Sequence, residues 1–138
     1  MVVTFSAPDD LLACVASVER AGGVEKIHQH EMELARPLWE CLRDTEGITL
    51  YCAESLEDRT PVFSFNIEGF KDPAEIGARF DVDYDVACRT GLQCAPLVHE
   101  TIGTSPDGTV RLSLGPMSTE ADVAAAIPAV QELAAEKR

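Results

Sequence analysis

Cys88-Arg89-Thr90-Gly91-Leu92-Gln93-Cys94-Ala95-Pro96 is the stretch around which the rest of the chain is arranged. Arg89 is a permanent cation with a planar fork of donors that suits a carboxylate. Cys94 follows five residues later, across Gly91, a residue that lets the backbone turn. A thiol attacks as its anion, and a neighbouring cation stabilises that anion. An arginine that holds an amino acid by its carboxylate, beside a cysteine carried on a loop, is able to take an atom off that amino acid. Structural groups also sit in such settings, so spacing alone makes the pair a candidate site.

Working outward, Asp81-Val82-Asp83-Tyr84-Asp85 opens like a calcium loop. Such a loop needs glycine at its sixth position and glutamate at its twelfth, where Val86 and Leu92 stand. The segment therefore reads as a solvated turn feeding a strand, Tyr84 to Cys88, that delivers Arg89. After Cys94, Pro96 to Ile102 reads as one or two helical turns beneath the loop, and Pro106-Asp107-Gly108 as a turn. Thr109 to Leu114 reads as a strand with Val110, Leu112 and Leu114 on one face and Arg111 and Ser113 on the other. Thr119, with Asp122 three residues on, starts a last helix whose buried stripe is Val123, Ile127, Val130 and Leu133.

Upstream, Asp72 and Pro73 start a short helix that buries Ile76 and Phe80. Ile48 to Cys52 and Val62 to Ile67 alternate as strands, joined by the exposed segment Glu54 to Arg59, and read as an antiparallel pair. A helix over 24–45 places Val24, Ile27, Leu34, Leu38 and Cys41 on one stripe. Pro37 lies inside it and Pro128 inside the last helix, where each should kink the backbone. His28 and His30 point to different helix faces, which favours solvated side chains over metal ligands. An apolar helix from Asp9 to Ala21 is stopped by Gly22-Gly23, and Met1 to Phe5 is a short apolar run of undecided structure. This element order predicts an α+β two-layer sandwich, with helices on one face of a small, mostly antiparallel sheet.

A chain of 138 residues is expected to form a single domain, 1–138, with a real core. Its net charge of −13 disfavours nucleic acid and anionic membranes as partners. Five cysteines without a repeating pattern argue against a disulfide framework and for a cytoplasmic location. Cys14, Cys41 and Cys52 fall on apolar stripes and are expected to be buried, whereas Cys94 should be exposed; Cys88, at a strand end, could be either. No apolar run approaches a membrane span, and the first residues lack the pattern of a signal peptide.

The run Arg89 to Leu97, followed by His99 and by Gly108-Thr109-Val110-Arg111-Leu112-Ser113-Leu114-Gly115-Pro116, resembles the C-terminal part of the cysteine desulfurases. These are pyridoxal-phosphate enzymes of the class V aminotransferase family, related to selenocysteine lyases, and the likeness extends from about Val24 to Leu133. The resemblance implies the small C-terminal domain of a fold-type I enzyme. It implies that Arg89 binds the substrate carboxylate, that Cys94 accepts sulfur from L-cysteine as a persulfide, and that Arg111 is a second arginine close by. It also implies a homodimeric parent, a sulfur-acceptor protein and alanine as product. Gln93 stands where these proteins often have histidine, and Ser118 where asparagine commonly precedes the threonine that is here Thr119.

A pyridoxal-phosphate enzyme needs a lysine for its Schiff base. None of Lys26, Lys71 and Lys137 lies in the family's cofactor-lysine setting. The cofactor is therefore expected on a large domain upstream of Met1, with none bound by this domain alone. Two alternatives stay open: another class V transaminase or lyase in which Cys94 is incidental, and a cofactor-free acidic binding or sulfur-relay domain. A cysteine protease built on Cys94 and His99 lacks an orienting third group.

Overall fold

A computed structural model of the chain describes residues 16, 19–20, 22–57 and 59–136. The apolar run 1–5, most of the helix expected over 9–21 and Cys14 lie outside the described residues. Gly22, at φ 97°, turns the chain ahead of the first long helix, α1 (Gly23–Asp44). This helix buries Leu34, Ala35, Leu38, Trp39 and Leu42. Val24, expected on the same stripe, is exposed, because α1 joins the core only from Met32 onward and its first turns run past it.

Four strands follow in the chain, β1 (Ile48–Leu50), β2 (Val62–Ile67), β3 (Arg89–Gly91) and β4 (Thr109–Ser113). They form one antiparallel sheet in the order β1-β2-β4-β3. Between them lie α2 (Pro73–Tyr84) and α3 (Pro96–Thr101), and α4 (Glu120–Ala135) ends the described chain. The expected α+β two-layer arrangement is what forms. β1 is shorter than expected, and Cys41 and Cys52 are half-buried where full burial was expected.

Period-two alternation sets the core. Phe63, Phe65 and Ile67 of β2 are buried, and the register places Leu112 opposite Phe63, Val110 opposite Phe65 and Ile48 opposite Ile67. Directly paired residues of antiparallel strands share a face. This face therefore meets Leu38 and Leu42 of α1, Ile76 and Phe80 of α2, and Val123, Val130 and Leu133 of α4 in one apolar cluster. Phe80 stands edge-on to Phe65, with ring centroids 6.4 Å apart.

Two helices run through prolines that were expected to bend them. Pro37 and Pro128 both occupy exposed positions. The carbonyls they leave without an intrahelical donor, those of Glu33 and Ala124, belong to exposed residues where water can satisfy them. The capping box expected for α4 is present. Thr119 N–H donates to Asp122 Oδ2 at 2.7 Å, and Asp122 N–H donates to Thr119 Oγ1 at 3.4 Å.

One expectation fails where it touches the site. The acidic run Asp81 to Asp85 is not a turn, and no strand spans Tyr84 to Cys88; α2 continues through Tyr84. Tertiary bonds hold this last turn helical. Arg79 donates to Asp83 one turn on and forms a fork with Glu136 at 3.1 and 2.8 Å, while Tyr84 donates to Glu132 at 2.8 Å. Asp85, at φ 55°, then caps the helix, and the chain extends into a strand at Arg89 itself.

Candidate functional site

Arg89 is placed by a close approach between β3 and α2. A Cβ on Gly77, in the middle of α2, would lie 2.6 Å from Thr90 Cγ2 and 3.5 Å from Cys88 Sγ. Only a residue without a side chain lets the edge strand pack this tightly on the helix. A glycine inside a helical pattern costs about 1 kcal/mol relative to alanine, and that local cost was the sequence signal that something packs there.

The register then decides where the arginines point. Thr90 pairs with the buried Val110 on the helix-covered face, so Arg89 and Arg111, which pair directly with each other, share the opposite face. Ser64 of β2 pairs with Arg111 from the other side, completing a row across three strands. The structure thus brings together the two arginines that the sequence singled out. Like charges directly opposite one another on adjacent strands are destabilising, by an amount on the order of 0.2–1 kcal/mol. Among the described residues no carboxylate forms an ion pair with either arginine, and Arg111 Nε is buried without a hydrogen-bond partner. Two adjacent cations, one exposed and one with a buried donor left unsatisfied, fit an anion, and the planar guanidinium fork fits a carboxylate.

Cys94 sits on the turn that leaves β3. Ala95 N–H closes the turn on Leu92 O at 2.9 Å. Gln93 and Cys94 both adopt left-handed backbone angles, φ 52° and 63°, although neither is glycine. Such residues cost on the order of 1–3 kcal/mol each and persist where the surroundings hold them. The Gln93 side-chain amide supplies one hold, donating from Nε2 to Thr109 O at 3.0 Å. This tie was invisible in the sequence, since it spans sixteen residues and depends on the strand register.

The thiols separate as nucleophiles. Cys94 is exposed. Burial pushes the Cys41 thiol up, and burial followed by the nearby Asp81 carboxylate pushes Cys88 up. Both are thereby held away from the reactive anion. His99 is not a partner for Cys94: it is buried in α3, with Nδ1 2.7 Å from Thr104 Oγ1. His28 is exposed, and His30 Nε2 donates to Ser118 O at 2.9 Å. Ser118 itself accepts from Gly115 N–H through its hydroxyl at 3.0 Å.

Comparison with known proteins identifies the family of the chain. The family model described as Aminotransferase class-V matches residues 11–125. A probable cysteine desulfurase of Halobacterium salinarum is 31% identical over 110 residues, which is 80% of this chain and 25% of that protein. A probable cysteine desulfurase of Synechocystis is 30% identical over 102 residues, 73% of this chain and 23% of that protein. Among solved structures, the apo cysteine desulfurase of Thermococcus onnurineus superimposes with a TM-score of 0.78 at 28% identity, over 87% of this chain and 28% of that one. The Escherichia coli cysteine desulfurase CsdA, at 22% identity over 86% of this chain and 28% of that one, shares the fold with a TM-score of 0.69. The chain spans about a quarter of the length of the curated relatives it matches. It belongs to the aminotransferase class-V family and is cysteine desulfurase-like within it.

Proposed function

We propose that the protein containing this chain takes sulfur from L-cysteine, with Arg89 holding the substrate carboxylate, Arg111 supporting it, and Cys94 receiving the sulfur. The observation that carries this is the Arg89–Arg111 pair on the sheet face opposite the core, with the exposed Cys94 five residues beyond Arg89 on the same edge. In the transfer the carbon–sulfur bond of cysteine breaks and a sulfur–sulfur bond forms on Cys94 Sγ. The carbon takes a proton and leaves as alanine, so the carbon is reduced as the sulfur is oxidised to the persulfide level, and no outside oxidant is needed. The persulfide then passes to a sulfur-acceptor protein in the cytoplasm, from a homodimeric parent.

Pyridoxal phosphate is the cofactor that this reading implies, and the residues described here do not fit it. Lys26 and Lys71 are both exposed and Lys137 lies outside the described residues, so no sheltered Schiff-base lysine is offered. We assign the cofactor to a large domain elsewhere in the same protein and derive no step through it.

The test uses the complete protein. Arg89→Lys keeps the charge and loses the fork, so kcat/KM for cysteine should fall by about ten- to hundredfold, or about 1.4–2.7 kcal/mol, with melting unchanged. Cys94→Ser should still bind cysteine yet form no persulfide. Undiminished turnover in Cys94→Ser would favour a transaminase or lyase in which this thiol is incidental. Unchanged kinetics in Arg89→Lys would remove Arg89 from the site.

A further inference from the structure

We infer that Gln93 is a positioning residue for Cys94, pinning the thiol-bearing turn to β4 through its bond to the Thr109 carbonyl. The inference rests on Cys94 being the sulfur acceptor.

The turn over 92–95 has few anchors. Its other bonds are local: Ala95 N–H to Leu92 O within the turn, and Val98 and His99 N–H to Ala95 O in the first turn of α3. Local bonds shape a turn but do not place it relative to a sheet. Among the described residues, the Gln93 amide makes the one side-chain hydrogen bond from this turn to the sheet. Its acceptor is well chosen for rigidity. Thr109 is fully buried, pairs with Gly91 at the end of β3, and lies two residues before Arg111 on the same strand face. The Asn66 amide bonds the adjacent Gly108 carbonyl at 3.2 Å from the opposite side, so the start of β4 is gripped by an amide on each flank. Gln93 therefore ties the thiol to the strand that carries Arg111, and its left-handed φ of 52° is held by that tie.

Two substitutions in the complete protein separate positioning from mere stability. Gln93→Gly removes the amide and also relieves the left-handed backbone, so melting should stay level or rise. Gln93→Glu keeps the length and volume, but an ionised carboxylate cannot donate to a carbonyl. Both should slow formation of the Cys94 persulfide by about ten- to hundredfold, as small misplacements of reacting groups do. KM for cysteine should stay within about twofold, since Arg89 and Arg111 are untouched. Brief alkylation should also show a changed Cys94 labelling rate in both variants. Wild-type rates of persulfide formation in either variant would overturn the inference, as would a Gln93→Gly protein that loses only melting temperature. A wild-type enzyme that turns over cysteine without ever carrying a persulfide on Cys94 would overturn the function proposed above, and this assignment with it.

Discussion

The two faces of the sheet share strands and alternation and differ in what they leave unfinished. On the helix-covered face, Phe63, Phe65, Ile67, Val110 and Leu112 are out of solvent and packed on three helices. On the other face, Ser64, Asn66, Arg111 and Arg89 present polar groups, and Asn66 Oδ1 and Arg111 Nε are buried without partners. An antiparallel sheet needs only one apolar face to fold. The second face is free to carry groups that cost stability and bind something. Neighbouring residues on one strand should consequently report on different properties of the protein.

The largest expected effect lies on the covered face. Phe65→Ala removes a fully buried ring that stands edge-on to Phe80, and should cost about 3–5 kcal/mol. That is a large share of the roughly 5–15 kcal/mol that holds a domain together. Ser64→Ala, one residue away on the opposite, polar face, should stay within about 0.5 kcal/mol. Denaturant melts of the two variants make the comparison directly, and similar losses in both would break it.

A smaller effect is expected where the two faces are joined. Gly108 precedes β4 at φ 84°, and a Cβ there would lie 2.1 and 2.2 Å from the carbonyl carbon and oxygen of Gly91. Gly108→Ala must shift the β3–β4 pairing as well as strain the backbone, at a cost of about 1–3 kcal/mol. Because that pairing sets Arg89 opposite Arg111 and carries the Gln93 tie, the variant should lose sulfur transfer as well as stability. A Gly108→Ala protein with a lowered melting temperature and undisturbed kinetics would show that the site tolerates a moved edge strand.

How far the sequence could be read follows from the same division. The covered face was legible because burial writes a period of two into Phe63, Phe65 and Ile67 and a helical period into Val123, Val130 and Leu133. Those signals are local. The end of α2 was misread because the run from Asp81 to its cap Asp85 looks like a solvated turn, and the bonds that keep it helical come from Glu132 of α4 and from Glu136, which caps α4. Val24 was misplaced for a related reason: its periodicity is helical, but no part of the core reaches it. Arg89 and Arg111 could be chosen by their resemblance to a family, yet their direct pairing depends on a register that only the folded sheet fixes. The role of Gln93 was out of reach altogether, since its side chain acts on a carbonyl in another strand.

The smallest effect belongs to the cap that starts α4. Thr119→Ala removes a hydroxyl that accepts from the Asp122 N–H and donates to the Asp122 carboxylate at 2.8 Å, and should cost about 1 kcal/mol at neutral pH. The Thr119 backbone N–H, and then its hydroxyl, hold the Asp122 carboxyl below its ordinary range. A depressed folded value means that the ionised cap adds stability above about pH 4, where an unfolded aspartate is ionised. That stability is lost as pH falls from there through the folded value. Asp122→Asn should therefore be less stable than wild type at neutral pH, with the gap closing in acid. Thr119→Ala should show a partial version of the same convergence, because the backbone N–H remains to hold the carboxylate. Thermal melts of the three proteins from pH 7 down to about pH 3 decide the matter; a constant offset between wild type and Asp122→Asn would mean that the cap contributes through shape and not through charge.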